Sequence, residues 1–459
     1  MNFSIIIPVF NAQQYIAQAI DSILNQSLDD FKLNVEIILV DDGSTDESPL
    51  ICQDFSAKYP NNIKYISCQN SGPANARNMG LDHISQNSDV VGFLDADDHL
   101  SKNTLEKIKS FFLHHPAIQL AVIPLYHFER IDTPHRLNYR FEQGDRVIDI
   151  TNEYQAIHFH IGGCFFNAQH FTNKNKLRFN TDLNFWEDAL LINTFLLKHR
   201  KYGVVSEARY FYRKRIEEDS LVNNAWYQKS RYTEMIKNCY FTVINESKNI
   251  YGRVIPYVQF LVIYHMRLFL FPKNNEIIYQ VLTDQELNEF FALFVKLIKE
   301  FDEEYIQKQQ MPFYYKQYLI NLRKYGWPYY QENSNINKQK VSLTNCSLKG
   351  LSWYIEGHFM NKKYMMKSGD RLFIKIGNKI HFLSKKRLPS KLRIIWGTVV
   401  RDYEHAGFEA SIPFYRSKFQ FGIKKENGET VLLNKVNLWK TKLRLKMKQN
   451  NTRAKQGKI

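Results

Sequence analysis

The sequence predicts an α/β fold that begins with an open, mostly parallel sheet. Over the first 115 residues, short unbroken apolar runs alternate with segments in which apolar residues recur at spacings of three and four. Unbroken apolar runs are typical of strands buried on both faces, and their alternation with helices is typical of βαβ units. In such sheets ligands bind beyond the carboxyl ends of the strands, so we expect functional residues there.

The individual elements follow from this pattern in chain order. Strands are predicted at residues 4–10, 35–40, 63–67 and 90–94, and helices at 15–25, 49–58, 74–84 and 104–113. A further helix is predicted at 187–200 and a strand at 210–213, and residues 226–330 have a helical pattern rich in Tyr, Phe, Leu and Ile. Short β-like runs separated by Gly and Asn turns follow at 371–376, 391–396, 419–423 and 431–436.

Length and charge divide the chain further. With 459 residues, two or three domains are expected, and we predict an α/β domain at 1–225, a helical connector at 226–335 and a basic, β-rich module at 336–459. The net charge is +16, but residues 336–459 hold 28 Lys and Arg against 7 Asp and Glu, a net +21. This third of the chain is expected to meet an anionic partner: nucleic acid, a membrane surface or an acidic polymer.

The cysteines and the longest apolar run bear on the cellular compartment. The five cysteines are scattered and never form a C-x-x-C pair, which argues against a disulfide framework or a zinc ribbon and favours a reducing cytosol. No signal peptide is predicted at the N-terminus. The apolar run at 254–271 contains His265 and Arg267, so a core or interfacial helix is predicted there rather than a membrane span.

Two acidic clusters follow the second and fourth predicted strands, Asp41-Asp42 with Asp46, and Asp95 with Asp97-Asp98. Carboxylates that meet at one edge of a sheet repel one another, and a divalent cation with oxygen ligands would relieve that repulsion. The alternative is turn chemistry, because Asp and Gly commonly build the turn after a strand. Two clusters at corresponding strand ends favour a metal site.

Other uses of such a sheet edge fit less well. No G-x-G-x-x-G follows the first strand and no Walker-A loop is present, which argues against dinucleotide and P-loop proteins. A phosphatase would carry its Asp-x-Asp after the first strand rather than the fourth. A sugar-1-phosphate nucleotidyltransferase would need a Gly-rich, Arg-containing loop near its start, which we do not find.

Five segments in order resemble family 2 glycosyltransferases of the GT-A fold: 4–11 (SIIIPVFN), 22–27 (SILNQS), 40–46 (VDDGSTD), 76–81 (ARNMGL) and 93–98 (FLDADD). The match covers about the first 115 residues and continues less tightly to about residue 220. The resemblance implies an inverting transferase that uses a UDP-sugar donor with Mn²⁺ or Mg²⁺. It implies a hexose or N-acetylhexosamine as the transferred group, and no nucleic acid partner.

The resemblance also implies roles for individual residues. Asp42 would contact the uracil ring, and Asp97 of the D-x-D motif would bind the metal. Arg77 would reach the donor, although an ion pair that steadies the acidic rim is an equally good interpretation. The remaining donor contacts that the resemblance implies are Pro8, Val9, Phe10, Asp95, Ala96, Arg215 and Ser220. Of these, Arg215 and Ser220 would bind the diphosphate. The alternative is that the Arg/Lys run at 213–215 is only a solvated face.

Asp188 would be the general base of an inverting transfer, in the segment Asn184-Phe185-Trp186-Glu187-Asp188, which resembles the family's Glu-Asp motif. The structural alternative is a capping box, in which Asn184 and Glu187 begin the helix at 187–200. We expect both, with Glu187 as the cap and Asp188 as the base. His158 and His160 have no third ligand nearby, so surface or core positions are predicted for them rather than metal ligation.

The C-terminal layout is similar to that of wall teichoic acid and capsule glycosyltransferases. It implies an anionic glycan or polyol-phosphate acceptor, or a homo-oligomer formed through this module. Residues 440–448 alternate cations with Thr, Leu and Met, which predicts an edge strand or an arm lying on anionic lipid at the inner face of the membrane. The alternative function is a polyanion- or membrane-binding scaffold on a catalytically silent GT-A body.

Overall fold

The computed structural model of the chain describes residues 1–28, 31–173, 176–215, 225–330, 336–361, 364–389 and 392–456. Two compact units are present, one formed by residues 1–268 with 277–309 and the other by 269–276 with 310–459. The predicted α/β class, with a GT-A-like sheet followed by helices and a β-rich C-terminal region, is confirmed. The three-part division at residues 225 and 335 stays a prediction.

The strands of the first unit form two sheets. In chain order they are β1 (Phe3–Val9), β2 (Val35–Asp41), β3 (Ile63–Ser67), β4 (Val90–Phe93), β5 (His99–Leu100), β6 (Leu120–Val122), β7 (Leu125–Glu129), β8 (Thr133–Pro134), β9 (Arg146–Asp149), β10 (Cys164–Asn167), β11 (Lys201–Val204) and β12 (Tyr210–Lys214). The larger sheet has the order β3-β2-β1-β4-β10-β6-β11-β9, and the smaller one β5-β12-β7-β8. Strands β1 to β4 are mutually parallel, so β1, β2 and β4 end at one edge.

Helices cover this sheet and continue beyond it. Those of the first unit are Ile16–Leu24, Phe31–Asn34, Ser48–Lys58, Pro73–Asp82, Thr104–His114, Gln169–Thr172, Glu187–His199, Thr233–Met235, Phe241–Tyr251, Pro256–Met266, Ile278–Val281, Asp284–Lys299 and Glu303–Gln307. The central strands are apolar on both faces: Ile5, Ile6 and Ile7 are all buried. Burying each such side chain contributes about 1.5–3 kcal/mol, which fixes the sheet that carries the acidic loops.

The segment predicted as a core or interfacial helix at 254–271 contains the helix Pro256–Met266. Eight of its eleven residues are buried, so a core helix is confirmed. Within the described ranges, none of the helices combines the length and the hydropathy that a membrane span requires.

The second unit is largely β-structure. Its strands are β13 (Ser342–Lys349), β14 (Ser352–His358), β15 (Arg371–Ile376), β16 (Lys379–Phe382), β17 (Ser384–Lys386), β18 (Arg393–Ile395), β19 (Thr398–Arg401), β20 (Gly407–Pro413), β21 (Lys418–Lys424) and β22 (Thr430–Asn437), with helices Phe313–Tyr325 and Leu438–Gln456. Two antiparallel sheets, β13-β14-β20-β17 and β16-β15-β21-β22, contribute to one apolar core that contains Trp353, Phe408 and Phe421.

The predicted edge strand at 440–448 is wrong, because these residues belong to the helix Leu438–Gln456. Alternation of polar and apolar residues is the signature of a strand only where one face of a sheet buries the apolar set. Here strand β22 ends at Asn437, before these residues. Lys, Leu, Arg and Met all have high helix propensity. The four predicted β-like runs correspond to β15, β18, β21 and β22, whereas the sequence pattern did not predict the other six strands, β13, β14, β16, β17, β19 and β20.

Candidate functional site

The ends of β1 and β2 carry two loops that are tied together by side chains. The backbone N–H of Asn11 donates to Ser44 Oγ (3.0 Å), and Thr45 N–H donates to Asn11 Oδ1 (2.8 Å). Of the three residues predicted for the base and ribose, Pro8 is partly exposed, Val9 is buried and Phe10 is 51% exposed. The exposed Phe10 ring at the edge of the sheet can therefore contact a ligand.

Asp42 is buried at the end of β2 and holds the segment that precedes the next helix. Its Oδ1 accepts from Ser71 N–H and its Oδ2 from Gly72 N–H, both at 2.8 Å. Gly43 has φ +73, and a Cβ at that position would lie 2.8 Å from Asn70 N, so only glycine allows the two loops to approach this closely. Asp42 therefore fixes the position of residues 70–72 beside the predicted uracil site.

Arg77 joins the two acidic segments of the site. Its Nη2 lies 2.9 Å from Asp95 Oδ1 at the end of β4, and its Nη1 lies 3.1 Å from Glu187 Oε1, which is 110 residues away in sequence. Burial disfavours the charged guanidinium, but Asp95 and Glu187 outweigh it and raise the pKa of Arg77. The ion-pair interpretation of Arg77 is thus present in the structure, and donor contact stays a prediction.

Asp188 lies beside this ion-pair network at the start of the helix Glu187–His199. Burial raises the pKa of its carboxyl to about 6, against the lowering effects of Arg77 and of the hydrogen bond that Ala189 N–H donates to Asp188 Oδ1 (2.6 Å). Burial and the neighbouring Asp188 likewise raise the pKa of Glu187. A carboxylate with a pKa close to neutrality can accept a proton from a hydroxyl group.

The predicted capping box is wrong. The N-cap residue of this helix is Trp186, which has a left-handed backbone conformation (φ 68) and makes no side-chain cap hydrogen bond. The Glu187 carboxylate binds Arg77 instead of turning back to the helix. The tertiary partner prevails because a buried guanidinium requires a carboxylate more strongly than an accessible helix end requires a cap.

Asp97 and Arg215 form an ion pair at the rim. Arg215 Nη2 lies 2.6 Å from Asp97 Oδ2, and the two side chains are 34% and 26% exposed. Ala96 between Asp95 and Asp97 is buried. Ser220 lies outside the described residues, so its predicted contact with the diphosphate has no structural counterpart here.

Asp98 belongs to the interior of the site rather than to its surface. Its carboxylate accepts from Tyr210 Oη and from Arg213 N–H, both at 2.7 Å. Burial, together with the charges of Asp97 and Asp95, raises the pKa of Asp98 well above its usual range. These contacts attach strand β12 to the loop that follows β4.

Three further residues of the site were not predicted from the sequence. Tyr210 Oη accepts from Asp95 N–H (3.2 Å), and Arg213 Nε donates to the Asp97 carbonyl (2.8 Å), while its guanidinium lies 4.5 Å from the Tyr15 ring. The rings of His160 and Tyr212 have their centroids 5.4 Å apart. Burial lowers the pKa of His160, and the negative charge of Asp95 opposes this effect. The polar side chains of the predicted strand at 210–213 were the available signal for Tyr210 and Arg213.

His158 is buried in the core. Of the surface and core positions predicted for it, the core position is confirmed. Its Nδ1 contacts Arg140 Nη2 (2.6 Å) and its Nε2 lies 3.0 Å from Cys164 Sγ. Over the described ranges, no group of three or more His, Cys, Asp or Glu side chains is arranged to hold a metal ion.

The sequence of the chain is similar to those of known proteins. The family described as "Glycosyl transferase family 2" matches residues 4–174. The chain is 43% identical to the minor teichoic acid biosynthesis protein GgaA of Bacillus subtilis, over 96% of this chain and 98% of that protein. The chain belongs to glycosyltransferase family 2. It is also 30% identical to the minor teichoic acid biosynthesis protein GgaB of the same organism, over 90% of this chain but only 46% of that protein.

A solved structure supports the fold of this family 2 glycosyltransferase. The crystal structure of residues 1–349 of S. aureus TarS in complex with UDP-GlcNAc superposes with a TM-score of 0.55. The alignment covers 71% of this chain and 88% of TarS 1–349, at 20% sequence identity. The predicted relation to family 2 enzymes of the GT-A fold is therefore confirmed.

Removal of the Arg77 guanidinium should lower the stability of the chain. Arg77→Met leaves Asp95 and Glu187 without their partner, and breaking a buried pair in this way costs about 3–5 kcal/mol. Since Asp95 is 27% exposed, we expect about 3 kcal/mol, measured by denaturant unfolding. Lys237→Met is the control, because its pair with Glu289 is half exposed on both sides and should contribute at most about 1 kcal/mol. Equal losses in the two variants would contradict the structural role of Arg77.

Proposed function

We propose that this chain is a metal-dependent, inverting hexosyltransferase. It moves a hexose or N-acetylhexosamine from a UDP-sugar to a hydroxyl group of a bacterial cell-surface polymer, a teichoic acid or a related anionic glycan. The observation that carries the proposal is the Asp188 carboxyl, whose pKa is raised to about 6 beside the network of Arg77 and Asp95. The 43% identity to a minor teichoic acid biosynthesis protein, over nearly the full length of both, supports the acceptor class.

In this proposal the donor lies along the edge where β1, β2 and β4 end. Phe10 and Asp42 contact the uracil ring together with Pro8 and Val9, and Asp95 and Ala96 face the ribose and the sugar. Arg215 binds the diphosphate, for which it must leave Asp97, since the two are paired at 2.6 Å. The complex of TarS with UDP-GlcNAc supports a UDP-sugar of this kind as donor.

Asp97 is the residue proposed to hold Mn²⁺ or Mg²⁺. Mg²⁺ commonly binds through one or two carboxylates and completes its shell with substrate phosphates and water, so the carboxylate oxygens of Asp97, a quarter exposed at the rim, fit such a cation. When bound, the cation would neutralise the negative charge that develops on the departing diphosphate. When no cation is bound, Arg215 neutralises the charge of the Asp97 carboxylate.

Asp188 is proposed to act on the acceptor. Its carboxylate takes the proton of the acceptor hydroxyl while the hydroxyl oxygen forms a bond to the anomeric carbon. The bond between that carbon and the diphosphate oxygen breaks, and UDP leaves with the bonding electron pair. Because oxygen enters on the face opposite to the leaving group, one displacement inverts the configuration.

A panel of UDP-sugars, tested with a purified polyol-phosphate polymer and Mn²⁺, examines the proposal. We expect one UDP-hexose or UDP-N-acetylhexosamine to give labelled polymer with inverted anomeric configuration by nuclear magnetic resonance. Polymer binding without turnover of any donor would favour the scaffold alternative.

All five cysteines are free thiols. Free thiols are typical of proteins in a reducing cytoplasm.

The pH dependence of transfer should report the ionisation of Asp188. A general base acts as its carboxylate, so protonation below a pKa of about 6 removes it. The transfer rate should be constant near pH 7 and should fall about tenfold per pH unit well below pH 6. Steady-state kinetics at saturating donor, with UDP affinity measured at each pH, checks this. A rate that does not change between pH 5 and 7 would contradict the assignment.

A further inference from the structure

The helix Leu438–Gln456 has one face packed on its own unit and another face exposed. Leu438 is buried and Leu445 packs against the core of the second unit. By contrast, Trp439, Leu443 and Met447 are 50%, 59% and 60% exposed. Residues four apart on a helix lie on the same face, so these three side chains form one apolar stripe.

Cations lie on both sides of this stripe. At 100° per residue, Lys440 and Arg444 fall on one flank, and Lys442 and Lys446 fall on the other, between the stripe and the packed face. The helix sequence contains seven Lys and Arg and no Asp or Glu. The exposed apolar stripe is therefore bordered by positive charge alone within the helix.

The stripe continues into the turn between β20 and β21. Leu438 N–H donates to the carbonyl of Ser417 (2.9 Å), which places that turn beside the start of the helix. Trp353 connects the two, since its ring lies 4.7 Å from that of Trp439 and its Nε1–H donates to the carbonyl of Phe414 (3.0 Å). Phe414 and Tyr415 are 46% and 69% exposed. We call Phe414, Tyr415, Trp439, Leu443 and Met447 the apolar face.

We propose that the apolar face binds the surface of an anionic lipid bilayer. Its aromatic and aliphatic side chains insert between the lipid headgroups, while the flanking Lys and Arg contact lipid phosphates. An apolar stripe between two cationic flanks matches a bilayer, whose interior is apolar and whose headgroups are negatively charged. The proposal does not depend on the glycosyl transfer proposed above.

Charge complementarity favours lipid over a second copy of this module. Residues 336–459 carry a net +21, so two such modules in contact would repel each other. An acidic soluble polymer would satisfy the cations but would leave Trp439, Leu443 and Met447 exposed to water. A bilayer with anionic headgroups is the occupant that satisfies both features.

Co-sedimentation of the full-length chain with vesicles tests the proposal. We expect binding to vesicles of phosphatidylglycerol and phosphatidylcholine, little binding to phosphatidylcholine alone, and weaker binding as salt rises. Leu443→Ser/Met447→Ser should lower the partition coefficient at least about tenfold, because two apolar side chains no longer insert. Leu50→Ser/Leu113→Ser is the matched control, since these leucines of the first unit are 62% and 64% exposed, and it should bind like wild type.

Lys440→Gln/Arg444→Gln should also weaken binding to anionic vesicles. A separate readout is quenching of Trp fluorescence by brominated lipid, which should occur in wild type and fall in Trp439→Phe while sedimentation is retained. Unfolding curves verify that each variant is folded, and the loss of quenching in Trp439→Phe gives a second test if the double serine variant fails to fold.

Four outcomes would overturn the proposal. The first is absence of binding to anionic vesicles, and the second is binding that the serine variant leaves unchanged. The third is absence of vesicle binding together with a particle mass in light scattering that shows self-association in wild type but not in the serine variant. This result would assign the apolar face to a second copy of the chain. Binding of a soluble polyanion without vesicle binding would likewise count against it.

Discussion

Asp188→Asn is expected to lower the transfer rate by about 10² to 10⁴ while UDP affinity stays unchanged, because asparagine cannot accept the proton of the acceptor hydroxyl. The fold should be retained, since the asparagine Oδ1 can still accept from Ala189 N–H, as Asp188 does at 2.6 Å. Steady-state transfer kinetics and calorimetric titration of UDP measure the two effects. Asp182→Asn is the control, because Asp182 is exposed and precedes the same helix.

The opposite pattern would identify a structural role for Asp188. If Asp188→Asn lowers the midpoint of thermal unfolding and leaves transfer nearly unchanged, the carboxylate stabilises the start of the helix and another group is the base. A parallel loss of UDP affinity would place Asp188 at the donor instead of the acceptor. Only a loss of rate at constant donor affinity supports the proposed mechanism.

Asp97→Ala should abolish the effect of Mn²⁺ on UDP binding and reduce turnover by at least about 10²-fold. The reason is that Lewis-acid assistance to a leaving diphosphate is worth several kcal/mol, and each 1.36 kcal/mol corresponds to a factor of ten. Calorimetric titration of UDP with and without Mn²⁺ gives the coupling between the two ligands. In wild type we expect tighter UDP binding with the metal.

Asp132→Ala is the control for this experiment, because Asp132 is exposed and outside the site. It should keep the Mn²⁺ dependence of wild type. An Asp97→Ala variant with the same Mn²⁺ dependence would show that Asp97 does not hold the metal. Its pair with Arg215 would then be the principal role of the residue.

The first parallel strands could be predicted closely because their physical cause is local. Strands β1 to β4 differ from their predicted ranges by at most one residue at either end, since each is an unbroken apolar run that ends at polar or turn-forming residues. The acidic loops at their ends follow from the same pattern. The shared edge of a parallel sheet then brings Asp42 and Asp95 into one site.

The contacts of the site with later parts of the chain were not predictable from these patterns. The pairing of Arg77 with Glu187 links residues 110 positions apart, and the contact of Tyr210 with Asp98 spans 112. No local signal specifies which cation meets which carboxylate, because such a pair forms only when packing buries both groups. The same reason explains why Glu187 is not the cap that its local sequence predicts.

The C-terminal helix gives the clearest division between the two sources of information. The sequence by itself determined the strong positive charge of this segment, the α/β class and the order of the family motifs, because composition and periodicity are properties of the chain alone. Tertiary structure decided that residues 440–448 are helical, and that Trp439, Leu443 and Met447 stay exposed while Leu438 is buried. Which apolar residues leave water depends on the surface that the rest of the unit offers, and that surface exists only in the folded protein.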